Sequence, residues 1–254
     1  MAKRDDPTAP AVASQATAPA IAPQATASAV APDIAPDNIT GPPSFLFDGP
    51  AGGPLLALAH GAGAPMDSPF MAAMAAGLAA HGLRVARFEF PYMRVRREAG
   101  NRPPPDPEAR LRRSWQAAIA ALGGGRRLCI GGKSLGGRIA SLIADESGVA
   151  GLVCLGYPFL PPGSTRPPRT AHLRELRTPA LILQGTRDPF GGREAVAAYP
   201  LAASIRIHWL EDGDHSWKPR KASGRGEAQN LAEAAAVAAD FVRGALAGSG
   251  ETGA

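Results

Sequence analysis

Between residues 43 and 247, short runs of apolar residues alternate with longer amphipathic stretches, and this alternation limits the possible folds more than any other feature. The runs Phe45–Phe47, Leu55–Ala59, Leu83–Phe90, Arg127–Gly131, Gly151–Leu155, Ala180–Gln184 and Ile205–Leu210 read as strands. Most of them are apolar on successive residues, as strands buried on both faces are. The stretches near Pro69–His81, Pro107–Leu122, Leu135–Asp145, Arg193–Tyr199 and Ala228–Leu246 carry helical spacing, and Gly82, Gly123–Gly125 and Gly148 stand where helices end. Strands alternating with helices in this way predict an α/β fold: a mostly parallel sheet with helices on both faces. The 254 residues suit a single such domain.

Outside that region the composition changes. Residues 1–42 are Ala, Pro, Thr, Ser and Gln with almost no large apolar side chain, so they cannot bury enough surface to offset the entropy of ordering. They are expected to form a disordered tail, with 43–247 as the folded domain and 248–254 as a flexible C-terminus. Lys3 and Arg4 are followed by Asp5, Asp6 and Pro7 rather than by an apolar core, which argues against a secretion signal. No run approaches the ~18 apolar residues of a membrane span. Cys129 and Cys154 lie inside strand-like runs, as buried free thiols of a reducing compartment would, so a cytoplasmic location is expected. The net charge of +5 is a weak argument for an anionic partner.

The strand Arg127–Gly131 leads into Gly132-Lys133-Ser134-Leu135-Gly136-Gly137, and a helical stretch follows directly. A serine between a strand and a helix, flanked by glycines, sits on a sharp turn that pushes its hydroxyl outward, beside a helix N-terminus that favours developing negative charge. Gly132-Lys133-Ser134 also supplies the ending of a phosphate-cradling loop, but that motif requires glycine where Arg127 stands. A dinucleotide-binding reading of the segment starting at Gly61 fails on bulky Met66 at the third glycine position.

A nucleophilic serine needs a base, and the base needs a third group to fix its tautomer. Where such a serine turn is catalytic, the order is Ser, acid, His, and this chain supplies Ser134, Asp188 and His215. Asp188 follows the strand Ala180–Gln184 and His215 follows Ile205–Leu210, both at carboxyl ends, where open α/β sheets carry their sites. Alone, Asp188-Pro189 is an ordinary turn former and a loop histidine is usually idle; three matching residues at three strand ends are harder to attribute to chance. Asp212 and Asp214 compete with Asp188 for the acid's place. Asp214 adjoins His215, and adjacent side chains in extended chain point apart, so Asp188 is the better acid. His60 begins a Gly-rich turn whose amides, at Gly61 and Ala62, can meet that of Leu135 on a carbonyl oxygen, with His60 bracing the turn. Tyr92, Arg94, Arg96, Arg97 and Arg102 read as a solvated loop paired with Asp106 and Glu108, or alternatively as a clamp for a substrate anion. The interval Gly156–Thr178 is short and proline-rich, which predicts little or no lid and a shallow, open site.

The segments Ala59–Met71, Arg87–Met93, Gly131–Arg138, Leu155–Phe159, Gln184–Gly191 and Asp212–Lys218 together resemble the compact bacterial α/β-hydrolases related to the testis-expressed hydrolase-like proteins, a wider family that includes a scaffold subunit of an animal histone-acetyltransferase complex. The likeness spans about residues 43–245. It implies the α/β-hydrolase fold and carries Ser134, Asp188 and His215 over as a catalytic triad. The expected activity is that of a serine hydrolase of esterase or related acyl-hydrolase type, acting on a small acyl substrate without cofactor or metal. The alternative is a non-catalytic binding or scaffold module on the same fold. An intact triad argues against it, since a scaffold has no physical need of Ser, Asp and His together. Nucleic-acid binding through Arg lacks a recognised motif or an aromatic stacking platform, and the chain offers nothing on its oligomeric state.

Overall fold

The computed structural model describes residues 43–100 and 102–249; the expectation of a disordered tail at 1–42, and most of that for 248–254, falls outside them. The strands are β1 (Phe45–Asp48), β2 (Leu55–Ala59), β3 (Arg84–Phe88), β4 (Leu128–Lys133), β5 (Gly151–Leu155), β6 (Ala180–Gly185) and β7 (Ile205–Leu210). They form one seven-stranded sheet in the order β1-β3-β2-β4-β5-β6-β7, with β1 antiparallel at one edge and every other pairing parallel. The helices are α1 (Pro69–Ala80), α2 (Pro91–Ala99), α3 (Glu108–Ala121), α4 (Leu135–Ser147), α5 (Arg193–Ala197) and α6 (Glu227–Gly248).

Strand side chains alternate between the sheet's two faces, so each strand feeds two cores. Ala57, Ala59, Phe88, Ile130, Leu152, Cys154 and Ile182 meet Leu111 and Trp115 of α3 and Ile139 and Ile143 of α4. Their neighbours Leu56, Leu58, Val85, Cys129, Val153, Leu155, Leu181 and Leu183 meet Met71, Met74 and Leu78 of α1 and Ala234, Ala238 and Val242 of α6. That double burial is why the strands read as unbroken apolar runs. The small side chains of α6 let it lie close to α1, where a Cβ on Gly77 would come within 2.9 Å of Ala235.

The chain runs outward from β2 to β3 and returns on the other side of β2 with β4, so strand order reverses between β2 and β4. Connections leaving the carboxyl ends of two such strands diverge and open a crevice. Beyond β2 lies the His60–Ser68 loop, and beyond β4 lies Ser134.

Two expectations need correction. Residues 91–99 form helix α2 rather than a loop, and β4 continues two residues past Gly131, pairing Gly132 with Cys154 and Lys133 with Leu155. The Gly156–Thr178 interval contains no helix beyond one turn at Ala171–Arg174. Inward anchors at Tyr157, Phe159, Leu173 and Leu176 hold it down.

Candidate active site

Ser134 joins β4 to α4 with φ 49° and ψ −108°, a conformation that costs a non-glycine residue about 1–3 kcal/mol and persists only where its surroundings enforce it. Here the enforcement comes from packing on the backbone of β2. A Cβ on Gly132 would fall 2.3 Å from the Ala59 carbonyl oxygen, and one on Gly136 would fall 2.4 Å from the same atom. The flanking glycines therefore let the turn close on the neighbouring strand, while Ser134 N–H donates to Leu155 O at 3.1 Å. Leu135 begins α4, so its amide has no partner within the helix.

Asp188 sits in the turn after β6 with its side chain fully buried. Its Oδ2 accepts from His215 Nδ1 at 2.8 Å and from Gln184 Nε2 at 2.9 Å, and its Oδ1 accepts from Phe190 N–H at 2.8 Å. The bond to Nδ1 fixes the ring and leaves Nε2 on its far side. Phe190 packs on the imidazole with ring centroids 4.4 Å apart. Asp214 instead accepts from the amides of Ser216 and Lys218 and shapes the turn, while Asp212 binds Arg220 and Arg187. The structure thus brings Asp188 and His215 together and assigns both rival carboxylates other work.

Ser134 and His215 share the wall of a cavity of about 340 Å³, together with Gly61, Ala62, Phe70 and Lys133. No hydrogen bond joins Ser134 to the imidazole in this structure; such bonds often tighten only with substrate. Lys133 is buried, and its Nζ donates to His215 O at 2.5 Å and lies 5.3 Å from the centre of the Phe70 ring. Burial pushes its pKa down to about 8, against the opposing pull of Asp188 and Asp214.

One contributor escaped the sequence reading and another was read differently. Gln184 is fully buried; its amide donates to Asp188, Tyr157 O and Gly191 O, and its carbonyl accepts from Tyr157 N–H at 2.7 Å. An amide one residue from the end of the otherwise apolar Ala180–Gly185 strand was the available signal. The other is the Arg cluster, which is not a solvated loop. Asp106 is taken by Tyr92 N–H and Arg110, and Glu108 by Arg112 and Arg138. Arg97 pairs with Asp67 and with buried Glu89, and Arg96 reaches the backbone at Ala62 and Pro103.

A second serine–histidine contact, Ser141 with His172 Nε2 at 2.8 Å, has different chemistry. Ser141 Oγ donates back to Arg138 O at 2.7 Å, and among the described residues no carboxylate orients this ring. Burial, with Arg138 and Arg112 nearby, lowers the His172 pKa to about 4. It reads as a polar clasp between α4 and the Ala171–Arg174 turn. Among the described residues no group of three or more His, Cys, Asp and Glu could hold a metal ion.

A family model described as an alpha/beta hydrolase domain matches residues 53–243, three quarters of the chain and all of this site. The chain belongs to the α/β-hydrolase family. Solved structures agree with this α/β-hydrolase in fold. The esterase domain of a Rhodothermus marinus protein is 18% identical with a TM-score of 0.54, covering 78% of this chain and 90% of its own. A serine hydrolase without a lid from Xanthomonas campestris is 18% identical with a TM-score of 0.54, covering 79% and 94%. A dienelactone hydrolase from Anabaena variabilis is 19% identical with a TM-score of 0.58, covering 80% and 99%. Family membership supports hydrolase activity. Among the described residues no helix is long and apolar enough to cross a membrane.

Proposed function

We propose that this α/β-hydrolase is a serine hydrolase cleaving esters or related acyl bonds of small substrates. The carrying observation is a serine held in a strained strand-to-helix turn, sharing one cavity with an imidazole whose far nitrogen is bonded to a buried carboxylate. Ser134 attacks the carbonyl carbon while His215 Nε2 takes its proton. The tetrahedral intermediate collapses as His215 returns that proton to the leaving oxygen, and water repeats the cycle on the acyl-enzyme. Asp188 stabilises the imidazolium that forms in each half. The amides of Ala62 and Leu135, on opposite sides of the crevice, donate to the oxyanion. No step calls for a cofactor or metal. The names of similar proteins, an esterase domain and a dienelactone hydrolase, support ester chemistry. The buried thiols Cys129 and Cys154 suit a reducing, cytoplasmic setting.

The cavity of about 340 Å³ is at the small end for ligand pockets, and among the described residues the Gly156–Thr178 interval carries no helix longer than one turn. Across a series of p-nitrophenyl esters, kcat/KM should therefore be highest for acyl chains of about two to six carbons and fall beyond them. Ser134→Ala should abolish turnover on the whole series. A preference for chains of about ten carbons or more contradicts the open-site reading.

A further inference from the structure

We infer that α2 and the end of β3 act as a clamp that orients the loop-side oxyanion donor proposed at Ala62, with Tyr92 and Arg96 as its principal positioning residues. The inference rests on the acyl-hydrolase reading for its catalytic consequence. Its structural content stands on the bonds themselves.

In a planar trans peptide the carbonyl oxygen of one residue and the amide hydrogen of the next point in opposite directions. The Gly61 carbonyl accepts from His60 Nδ1 at 2.7 Å and from Tyr92 Oη at 3.2 Å. The Ala62 carbonyl accepts from Tyr92 Oη at 3.2 Å and from Arg96 at 3.0 Å. Two successive carbonyls are thus drawn toward α2, which turns the Ala62 and Gly63 amides the other way. Both residues line the cavity with Ser134, and among the described residues neither amide donates to a protein acceptor.

The gripping groups are themselves fixed. Phe90 N–H donates to His60 Nε2 at 3.1 Å, so the ring proton sits on Nδ1, and burial lowers the His60 pKa and keeps the ring neutral. Arg96 stacks over the Tyr92 ring at 4.9 Å and donates through Nε to Pro103 O at 2.9 Å. The far end of the loop is held in the same manner. Arg87 donates to Met66 O at 2.8 Å, and Met66 N–H donates to Glu89 at 3.3 Å. Arg97 bridges Glu89 to Asp67. A guanidinium suits this task because it offers several donors in one rigid plane, so Arg96 can hold Pro103 and Ala62 together.

Tyr92→Phe removes one hydroxyl and Arg96→Met removes the charge while keeping much of the stem. Each folded variant should lose about 10- to 100-fold in kcat on p-nitrophenyl butyrate with KM little changed, because oxyanion contacts count in the transition state and not in the ground state. Affinity for a short alkyl boronic acid should fall with kcat, while inhibition by butyrate should not. Arg96→Lys, able to reach one of the two carbonyls, should recover part of the loss. In parallel, 15N relaxation dispersion at Gly61–Ala64 should show exchange in the variants that the wild type lacks. An unchanged kcat in a wild type that turns over, a rise confined to KM, or loop amides equally rigid in all forms overturns the clamp. A wild type that hydrolyses nothing, while its loop still loosens in both variants, sinks the acyl-hydrolase reading and leaves the clamp standing.

Discussion

Asp188 illustrates how a residue's role is set by what its partners leave free. Its two oxygens accept three hydrogen bonds, from His215, Gln184 and Phe190 N–H, so the carboxylate cannot rotate away from the imidazole. Asp188→Asn would place an amide donor against Nδ1–H or force the other tautomer, with Nε2 protonated and useless as a base. A fall in kcat of about three to four orders of magnitude is expected on p-nitrophenyl butyrate. Asp214→Asn, altering a carboxylate that only caps its own turn, should cost less than about tenfold. Should Asp214→Asn be the more damaging of the two folded variants, the acid has been misassigned. The pairing of Asp188 with His215 was legible from residue type, spacing and order. Gln184 was not, because its importance lies in contacts with Tyr157, from the loop after β5, and with Gly191, on which the turn after β6 folds back.

At the scale of elements, the seven strands and five of the six helices followed from the apolar pattern. The sixth, α2, was concealed by its composition. Its arginines and the nearby prolines suggest an open loop, yet Pro91 at its first turn and Gly100 with φ 67° at its end are ordinary helix boundaries. The charge misled because the Arg96 guanidinium is spent on backbone carbonyls and that of Arg97 on Asp67 and Glu89. The Ala171–Arg174 turn has a titratable counterpart of this kind in His172. Its pKa of about 4 means that between that value and its ordinary 6.5 the unfolded chain binds more protons than the native one. Stability from this group is therefore complete above about pH 6.5 and is lost as pH falls toward 4. His172→Gln, which can still bond Ser141, should flatten that part of the acid dependence in urea melts. An acid slope identical to wild type contradicts the assignment.

For the whole molecule, the reversal of strand order between β2 and β4 gives the site its place. It sets the His60–Ser68 loop on one side of a crevice and Ser134 on the other, while β6 and β7 bring Asp188 and His215 toward it from the far half of the sheet. Sequence order alone could indicate these strand ends, but not that one cavity would join them. The proposed reaction requires Ser134 to be an activated nucleophile, and covalent labelling measures this without knowledge of the substrate. Incubated with a fluorophosphonate and read by intact mass and peptide mapping, the wild type should gain one adduct, on Ser134. Ser134→Ala should gain none, and His215→Ala should label far more slowly. A wild type left unmodified under conditions that label an active esterase, or an adduct on Ser141 instead, would contradict it.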